Sequence, residues 1–246
     1  MTEVFLEYRP LRWVNHVRRI KALHPDRWEE LTAVQLIAAA CVYKGTISDD
    51  SLIASMLSLK KRAVRRLSAY QKICIIDLLH FMATYKPYYT FIIPSIAGYA
   101  CPQPRLKNET FGCFIFAETY FDRYTATSEP EFLSKFIACL YRDRPFDEAD
   151  IARRAAAIAK EPLANREAIF INYILIREWL VETYPNVFKP ADDKRKKEKS
   201  SWLDVYDTLV GDNLTRQKEY SELPVSTVLR YLDKRIKNSA DESQVR

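Results

Sequence analysis

Residues 163–188 read LANREAIFINYILIREWLVETYPNVF, and this stretch decides the fold. Between Ala168 and Ile176 the only polar residue is Asn172. A buried β-strand would have a similar composition, but the apolar pattern continues to Tyr184, which corresponds to about six helical turns. A helix that is apolar on nearly every side needs other helices packed around it. We therefore predict an all-α fold, a multi-helix globular bundle around this central buried helix.

The composition narrows the class of protein further. Of the 246 residues 48% are hydrophobic and 13% aromatic, which is typical of a folded protein. There are only four glycines, whereas all-β folds need turn glycines and nucleotide-binding α/β folds need glycine-rich loops. The five cysteines include no Cys-x-x-Cys pair, which predicts buried free thiols in a reducing compartment. Since no signal-peptide pattern and no apolar run of about 20 residues occurs, we predict a soluble cytoplasmic protein.

Changes in composition divide the chain into five segments. A basic lead-in (1–27) precedes a main helical domain (28–188). A charged linker (189–200) then leads to a C-terminal helical hairpin (201–237), and the tail (238–246) is predicted to be disordered.

Local signals predict where several helices begin and end. Thr32 and Gln35 form a capping box at the start of the first helix, and Gly45 is a natural stop at its end. Asn108 is predicted to cap a later helix. Ser128–Glu131 reads as a second capping box with a proline in the first turn.

Three other segments have less regular patterns. Val14–Ile20 is predicted to form a short helix, and Ser68–Tyr85 a buried one. Residues 86–104 carry four prolines, and we expect either a short hairpin or an irregular, packed loop there.

Catalytic and metal-binding motifs are missing from the sequence. It contains no Gly-x-Ser-x-Gly, Walker loop, dinucleotide fingerprint or His-Glu-x-x-His. The histidines His16, His24 and His80 do not have the spacing of metal ligands. Asp77 and His80 share a helix face and are either an acid–base couple or, as we favour, an ordinary hydrogen-bonded pair. We predict that the protein is not an enzyme and has no catalytic residue, cofactor site or metal site.

The strongest charge feature is a group of five cations within seven residues: Lys60, Lys61, Arg62, Arg65 and Arg66. On a helix the last four of these residues share one face. Such a stripe can bind phosphates, and the net charge of +6 agrees with an anionic ligand. No aromatic residue interleaves with the cations to stack on bases. The alternative, which the sequence favours, is a solvated face or an interface with an acidic protein.

Aromatic residues are concentrated in a second region. Residues 108–124 read NETFGCFIFAETYFDRY. We expect this segment to form either part of a groove that binds a partner or part of the hydrophobic core.

Three landmarks follow one another along the chain. They are Trp28-Glu-Glu-Leu-Thr32, then Leu140-Tyr141-Arg142, and finally Trp202 with Tyr206-Asp207, Glu222-Leu-Pro-Val225 and Val228-Leu-Arg-Tyr-Leu232. In this order they resemble helical proteins of tailed-bacteriophage and prophage morphogenesis modules, of the tail-assembly chaperone kind. The loop that follows the second landmark is proline-rich or glycine-rich in that family, whereas here it reads Asp143-Arg-Pro-Phe146.

The resemblance implies a non-enzymatic protein that binds another tail protein, as a chaperone binds the tape-measure protein, by helix-in-groove contact. Its location would be the host-cell cytoplasm or the virion. The candidate partner-binding residues in the C-terminal hairpin are Trp202, Tyr206, Leu223, Val228 and Tyr231. Two alternatives remain: a nucleic-acid-binding accessory protein that uses the 60–66 stripe, and a structural component of the neck or tail.

Overall fold

A computed structural model describes residues 1–9, 16–188, 201–211 and 216–244. The described chain is mostly helical with two small antiparallel sheets, which confirms the predicted all-α class. The predicted linker 189–200 lies outside the described residues.

Contacts within the chain divide it into two compact units, residues 1–88 and residues 89–246. This division differs from the predicted domains in two ways. The predicted main domain 28–188 contains the boundary at residue 88, and the predicted hairpin 201–237 belongs to the second unit.

The first unit begins with a β-hairpin. Strands β1 (Thr2–Tyr8) and β2 (Arg18–His24) pair antiparallel. Side chains alternate between the two faces, so that Leu6 is 3% exposed and its neighbour Phe5 is 71% exposed. The predicted short helix Val14–Ile20 is therefore wrong where the structure describes it, because from residue 18 the backbone hydrogen bonds go to β1. Residues 10–15 lie outside the described ranges.

Four helices follow in the first unit: α1 (Ala33–Tyr43), α2 (Asp49–Met56), α3 (Lys61–Val64) and α4 (Ala69–Asp77), with 3₁₀ turns at Trp28–Glu30 and Leu78–Ala83. The predicted capping box at the start of α1 is confirmed, because Gln35 N donates to Thr32 Oγ1 (3.4 Å) and Thr32 N donates to Gln35 Oε1 (2.8 Å). Just beyond the end of α1, Gly45 has a φ of +64°, as a glycine stop requires.

The core of the first unit joins the hairpin to the helices. It contains Leu6, Ala22, Ile53, Leu57, Val64, Leu67 and Ile75. The predicted buried helix 68–85 is wrong in two respects. The α-helix ends at Asp77 and continues as a 3₁₀ turn, and Tyr70 and Ile73 are 76% and 66% exposed. Only Ile75 is buried within α4, because one face of this helix meets the core.

The second unit contains β3 (Ser95–Ile96), β4 (Tyr99–Ala100), α5 (Phe111–Thr127), α6 (Pro130–Leu140), α7 (Ile151–Ile158), α8 (Leu163–Thr183), α9 (Trp202–Val210), α10 (Gln217–Glu222) and α11 (Val225–Gln244). Helix α8 is the predicted central helix, with 21 residues and buried positions around most of its circumference. Aromatic rings fill the space between α5, α6 and α8. Tyr173 lies 4.9 Å from Phe136 and 5.5 Å from Phe121, measured between ring centroids.

The only polar residue in the apolar run of α8 has a structural role. Asn172 is fully buried; its Oδ1 accepts from Ile92 N (2.6 Å) and its Nδ2 donates to Thr90 O (3.0 Å). The side chain thus holds the irregular segment around residues 90–92 against α8. Residues 86–104 combine the two predicted alternatives, because a short β3–β4 hairpin lies within an otherwise irregular, packed segment.

Two predicted helix caps in this unit are wrong. Thr110 caps α5, with Cys113 N donating to its Oγ1 (3.3 Å), whereas Asn108 Oδ1 accepts from Gln103 N (2.8 Å). Ser128 does not start a capping box, because α5 extends to the residue before it and Ser128 ends that helix with a left-handed φ of 58°.

The C-terminal helices are built into the second unit. Phe111 N donates to Leu223 O (2.8 Å), so that a free N–H at the start of α5 is satisfied by the loop before α11. Helices α5 and α10 also approach closely, since a Cβ on Gly112 would lie 3.2 Å from Ser221 Cβ. The last helix continues to Gln244, past the predicted end at 237, because no proline or glycine interrupts residues 225–244.

Within the described ranges, none of the helices combines the length and the apolar character needed to cross a bilayer.

Candidate partner-binding cleft

The second unit contains a cleft of about 970 Å³ between helices α5, α8, α9 and α11. Its apolar lining comprises Phe121, Val187, Phe188, Trp202, Val205, Leu209, Leu232 and Ile236. Charged side chains also line it, two acidic and two basic: Asp122, Arg177, Asp204 and Arg235. An apolar surface with a few charged groups is the usual character of a binding site.

The size of the cleft suits a helical peptide. Binding pockets in proteins have volumes of about 300–1,000 Å³, and this cleft lies at the upper end of that range. A cleft of this size between helices is suited to the apolar side chains on one face of an amphipathic helix.

Trp202 fixes the start of α9 against α5. Its ring lies edge-on to Phe114, with centroids 4.8 Å apart, and 6.4 Å from the ring of Phe111. Its Nε1 donates to Glu118 Oε2 (3.2 Å). Because Phe111 and Phe114 are almost completely buried, α9 covers apolar surface that the rest of the unit would otherwise expose to water.

Glu118 is the centre of a buried polar network at the place where α9 packs against α5. Its side chain is fully buried; its Oε1 accepts from Tyr173 OH (2.8 Å) and its Oε2 lies 3.0 Å from Arg177 Nη2. The Arg177 guanidinium also lies over the ring of Phe121, 4.5 Å from its centroid. The network ties α5, α8 and α9 together at the cleft.

Burial dominates the electrostatics of this network. Desolvation raises the pKa of Glu118, and the charge of Arg177 offsets part of that rise. Desolvation also raises the pKa of Tyr173, and the neighbouring Glu118 raises it further. For Arg177 desolvation acts to lower the pKa, but attraction to Glu118 prevails and the pKa is raised. Arg177 therefore stays protonated beside the carboxylate.

The five predicted hairpin residues have different environments. Trp202 lines the cleft, whereas Val228 is 4% exposed and packs in the core. Leu223 and Tyr231 are 37% and 53% exposed and line neither this cleft nor the next. Tyr206 lines a second cleft of about 830 Å³, to which α9 also contributes.

The sequence did not lead us to the apolar residues that α11 contributes to the cleft. These are Leu232 and Ile236, which follow Val228 at intervals of four residues. That i, i+4, i+8 stripe is visible in the sequence, so its helical periodicity could have predicted them.

The predicted basic stripe lies in the first unit. Lys60, Lys61, Arg62 and Arg65 are exposed, and Arg66 is half-buried. The helix that carries them, α3, is a single turn. Residues of the stripe do not line the cleft of the second unit.

The histidines that were considered as acid–base or metal-binding residues have structural environments. His80 Nδ1 lies 3.1 Å from the backbone oxygen of Asp77 rather than from its carboxylate, and His80 is exposed. His24 is fully buried, and in the described chain neither ring nitrogen has a hydrogen-bond partner. Desolvation lowers the pKa of His24. In the part of the chain that the structure describes, His, Cys, Asp and Glu side chains do not gather in threes that could hold a metal ion.

The second landmark, Leu140-Tyr141-Arg142, is packed within the second unit. Arg142 Nη1 lies 2.7 Å from Glu109 Oε2, and Tyr141 OH donates to Ile93 O (2.8 Å). Arg142 Nη1 also contacts the thiol of Cys113, whose pKa burial raises well above its ordinary value. A thiol in this state is a poor nucleophile.

The predicted burial of the cysteines holds for two of the five. Cys113 and Cys139 are buried, Cys41 and Cys101 are half-buried, and Cys74 is exposed. The structure describes all five as free thiols.

Comparison of the chain with protein-family models, with curated proteins and with solved structures gave no match.

Proposed function

We propose that this protein is a non-enzymatic phage or prophage tail-morphogenesis protein that binds an amphipathic helix of another tail protein, in the manner of a tape-measure chaperone. The observation that carries the proposal is the cleft of about 970 Å³ between α5, α8, α9 and α11. The choice of a tail protein as partner follows from the resemblance in the order of the sequence landmarks.

The lining of the cleft supports a helical ligand. Apolar anchors of the ligand would contact the rings of Phe121 and Trp202 and the side chains of Leu232 and Ile236. Charged residues on the flanks of the ligand helix would meet Asp122 and Arg235. A chaperone that shields such a helix keeps its apolar face from aggregating while the tail is assembled.

The test is a pull-down of the tagged protein from cells that express its genomic neighbours, with nuclease treatment and identification of the bound proteins by mass spectrometry. The cleft variants are Val205→Glu and Ile236→Glu. Ile236 is 44% exposed, so a charge there is tolerated by the fold. The matched control is Val34→Glu, an apolar residue that is 64% exposed in the first unit.

We expect each cleft variant to weaken binding about tenfold or more, because a carboxylate would enter an apolar contact. The control should bind as the wild type does. Equal losses in the cleft variants and in the control would contradict the proposal, as would unchanged binding in all three.

A fourth variant, Leu203→Glu, distinguishes the two clefts. Leu203 is 55% exposed and lines the second cleft rather than the first. Loss of binding with this variant alone would place the partner in the second cleft and overturn the assignment.

Purified tails distinguish a chaperone from a structural virion component. A chaperone is released during assembly, so this protein should be missing from mature particles. A stoichiometric amount in those particles would overturn the chaperone part of the proposal.

A further inference from the structure

The net charge of the chain is concentrated in one unit. Residues 1–88 contain 14 lysines and arginines against 8 aspartates and glutamates, which gives +6. Residues 89–246 contain 24 of each, which gives zero. The entire excess of +6 therefore belongs to the first unit, and the candidate cleft lies in the neutral one.

Several cations of the first unit are neutralised by nearby acids. Arg19 Nε lies 2.7 Å from a carboxylate oxygen of Glu7, Lys21 Nζ 2.5 Å from one of Glu3, and Lys72 Nζ 2.7 Å from one of Asp50. These ion pairs compensate the positive charges of Arg19 and Lys21 in the hairpin and of Lys72 in α4.

The basic stripe is different. In the described chain, no acidic side chain lies within 4.0 Å of the charged atoms of Lys60, Arg62, Arg65 or Arg66. Lys61 Nζ donates to the hydroxyl of Ser51 (2.6 Å), which leaves its charge in place. Five cations within seven residues thus have no acidic counter-ion among the residues that the structure describes.

The fold aims these cations outward together. Val64 is 0% exposed and Leu67 6% exposed, and both are part of the core of the first unit. Helix α3 is a single turn with Arg65 as its C-cap, and at about 100° per residue Lys61, Arg62 and Arg65 lie within an arc of about 100° that is centred away from Val64. Burial of Val64 therefore holds these three charges on one exposed surface, and the half-buried Arg66 follows them in the chain.

The same observations favour a phosphate ligand over a protein or a membrane. Protein interfaces are built on an apolar centre, but the large apolar residues of this segment, Val64 and Leu67, are buried in the core of the first unit. The turn itself has no exposed large apolar side chain to insert among lipids, and the exposed Tyr70 and Ile73 lie on the next helix. A row of unpaired cations matches the row of charges on a nucleic-acid backbone.

An exposed aromatic ring lies close to the stripe in sequence. Tyr70 is 76% exposed and follows Arg66 by four residues, so their Cα atoms are at most about 14 Å apart. Exposed aromatic rings beside cations stack on unpaired bases. Such stacking needs single strands, because the bases of a duplex are already stacked on one another.

We infer that Lys60, Lys61, Arg62, Arg65, Arg66 and Tyr70 form a surface that binds single-stranded nucleic acid, with the cations on phosphates and the tyrosine ring on a base.

The experiment measures binding of the full-length protein to a fluorescent 20-nucleotide oligothymidylate and to a duplex of equal length, by anisotropy at several salt concentrations. The test variant is Arg62→Gln/Arg65→Gln/Arg66→Gln. The control is Arg230→Gln/Lys234→Gln/Lys237→Gln, which removes the same number of exposed cations from α11. Circular dichroism checks that both variants are folded.

Loss of three phosphate contacts should lower the slope of log K against log salt by about 2 and the affinity roughly 100-fold at 0.1 M salt, at about 0.7 per contact. The control should change neither quantity appreciably. Tyr70→Ala should weaken binding to the single strand about tenfold and leave the salt slope and duplex binding unchanged.

Three results would overturn the inference. The first is a wild-type protein that does not bind the oligonucleotide at 0.1 M salt. The second is an equal loss of affinity in the test and control variants. The third is stripe-dependent binding to phosphatidylglycerol vesicles without binding to the oligonucleotide, which would assign the surface to a membrane.

Discussion

Replacing Arg177 by methionine removes the cation beside the buried carboxylate of Glu118. The methionine retains much of the apolar length of the side chain and loses the guanidinium, which pairs with Glu118 and lies over the ring of Phe121. Tyr173 and Trp202 remain as hydrogen-bond donors to Glu118.

The expected cost follows from the geometry. Removing one partner of a buried ion pair costs about 3–5 kcal/mol. Two features reduce this value: the Arg177 side chain is 31% exposed, and two neutral donors stay in place. We expect the free energy of unfolding to fall by about 2 kcal/mol at pH 7.

The cost should depend on pH in a defined direction. The pKa of Glu118 is raised from its ordinary value of 4.5 by burial, and loss of Arg177 raises it further. Because the pKa of Glu118 is higher in the folded than in the unfolded state, the contribution of this carboxyl to stability is fully present below pH 4.5. That contribution is lost as the pH rises through the folded pKa. The destabilisation by Arg177→Met should therefore be smallest in acid and grow towards neutral pH.

The assay is urea unfolding of the full chain, followed by circular dichroism and tryptophan fluorescence from pH 4 to pH 8. Because Arg177 and Glu118 both belong to the compact unit of residues 89–246, the affected transition should be the one that unfolds this unit. The double variant Glu118→Gln/Arg177→Met should recover about 1 kcal/mol and lose the additional pH dependence that Arg177→Met introduces, because no charge then remains at positions 118 and 177.

The control is Arg230→Met, which removes an exposed arginine and should cost less than about 0.5 kcal/mol. The reasoning is refuted if Arg177→Met costs no more than this control. It is also refuted if the double variant is less stable than Arg177→Met alone.

Two further predictions concern buried polar side chains, one in each unit. Asn172→Leu should lower the free energy of unfolding of the second unit by about 2–3 kcal/mol in urea titrations, because Ile92 N–H and Thr90 C=O lose their partner. A cost below about 0.5 kcal/mol would show that water replaces the amide. The pKa of His24 is lowered by burial, so its contribution to stability is complete above 6.5 and is lost as the pH falls through the folded pKa. The acid-induced loss of stability of the first unit should be smaller in His24→Gln, and an unchanged pH profile in thermal unfolding would exclude this histidine as its source.

Local sequence signals predicted the features that depend on near neighbours. The capping box of Thr32 and Gln35 was readable because both partners lie within one helical turn. The same holds for α8, whose 21 residues supply an apolar pattern longer than any ordinary strand. By contrast, Asn108 and Ser128 have the right residue types for caps, and only the true limits of α5 decided that neither one starts a helix.

Long-range pairing decided the features that the sequence did not predict. Strand β2 is basic and reads locally as a short helix, but its backbone partner β1 precedes it by about 16 residues and converts it to a strand. The exposure of Tyr70 and Ile73 likewise depends on which face of α4 meets the core. A sequence pattern shows that apolar residues are present, whereas burial depends on what packs against them.

The sequence by itself determined the helical class, the central helix and the cluster of five cations at residues 60–66. Only the tertiary structure assembled the candidate cleft, because its walls come from four helices and its supporting contact joins Glu118 to Trp202, 84 positions apart. Helical periodicity is a property of neighbouring residues, so it can be read from the chain. A concave surface between distant helices depends on how they pack, and no local pattern encodes that packing.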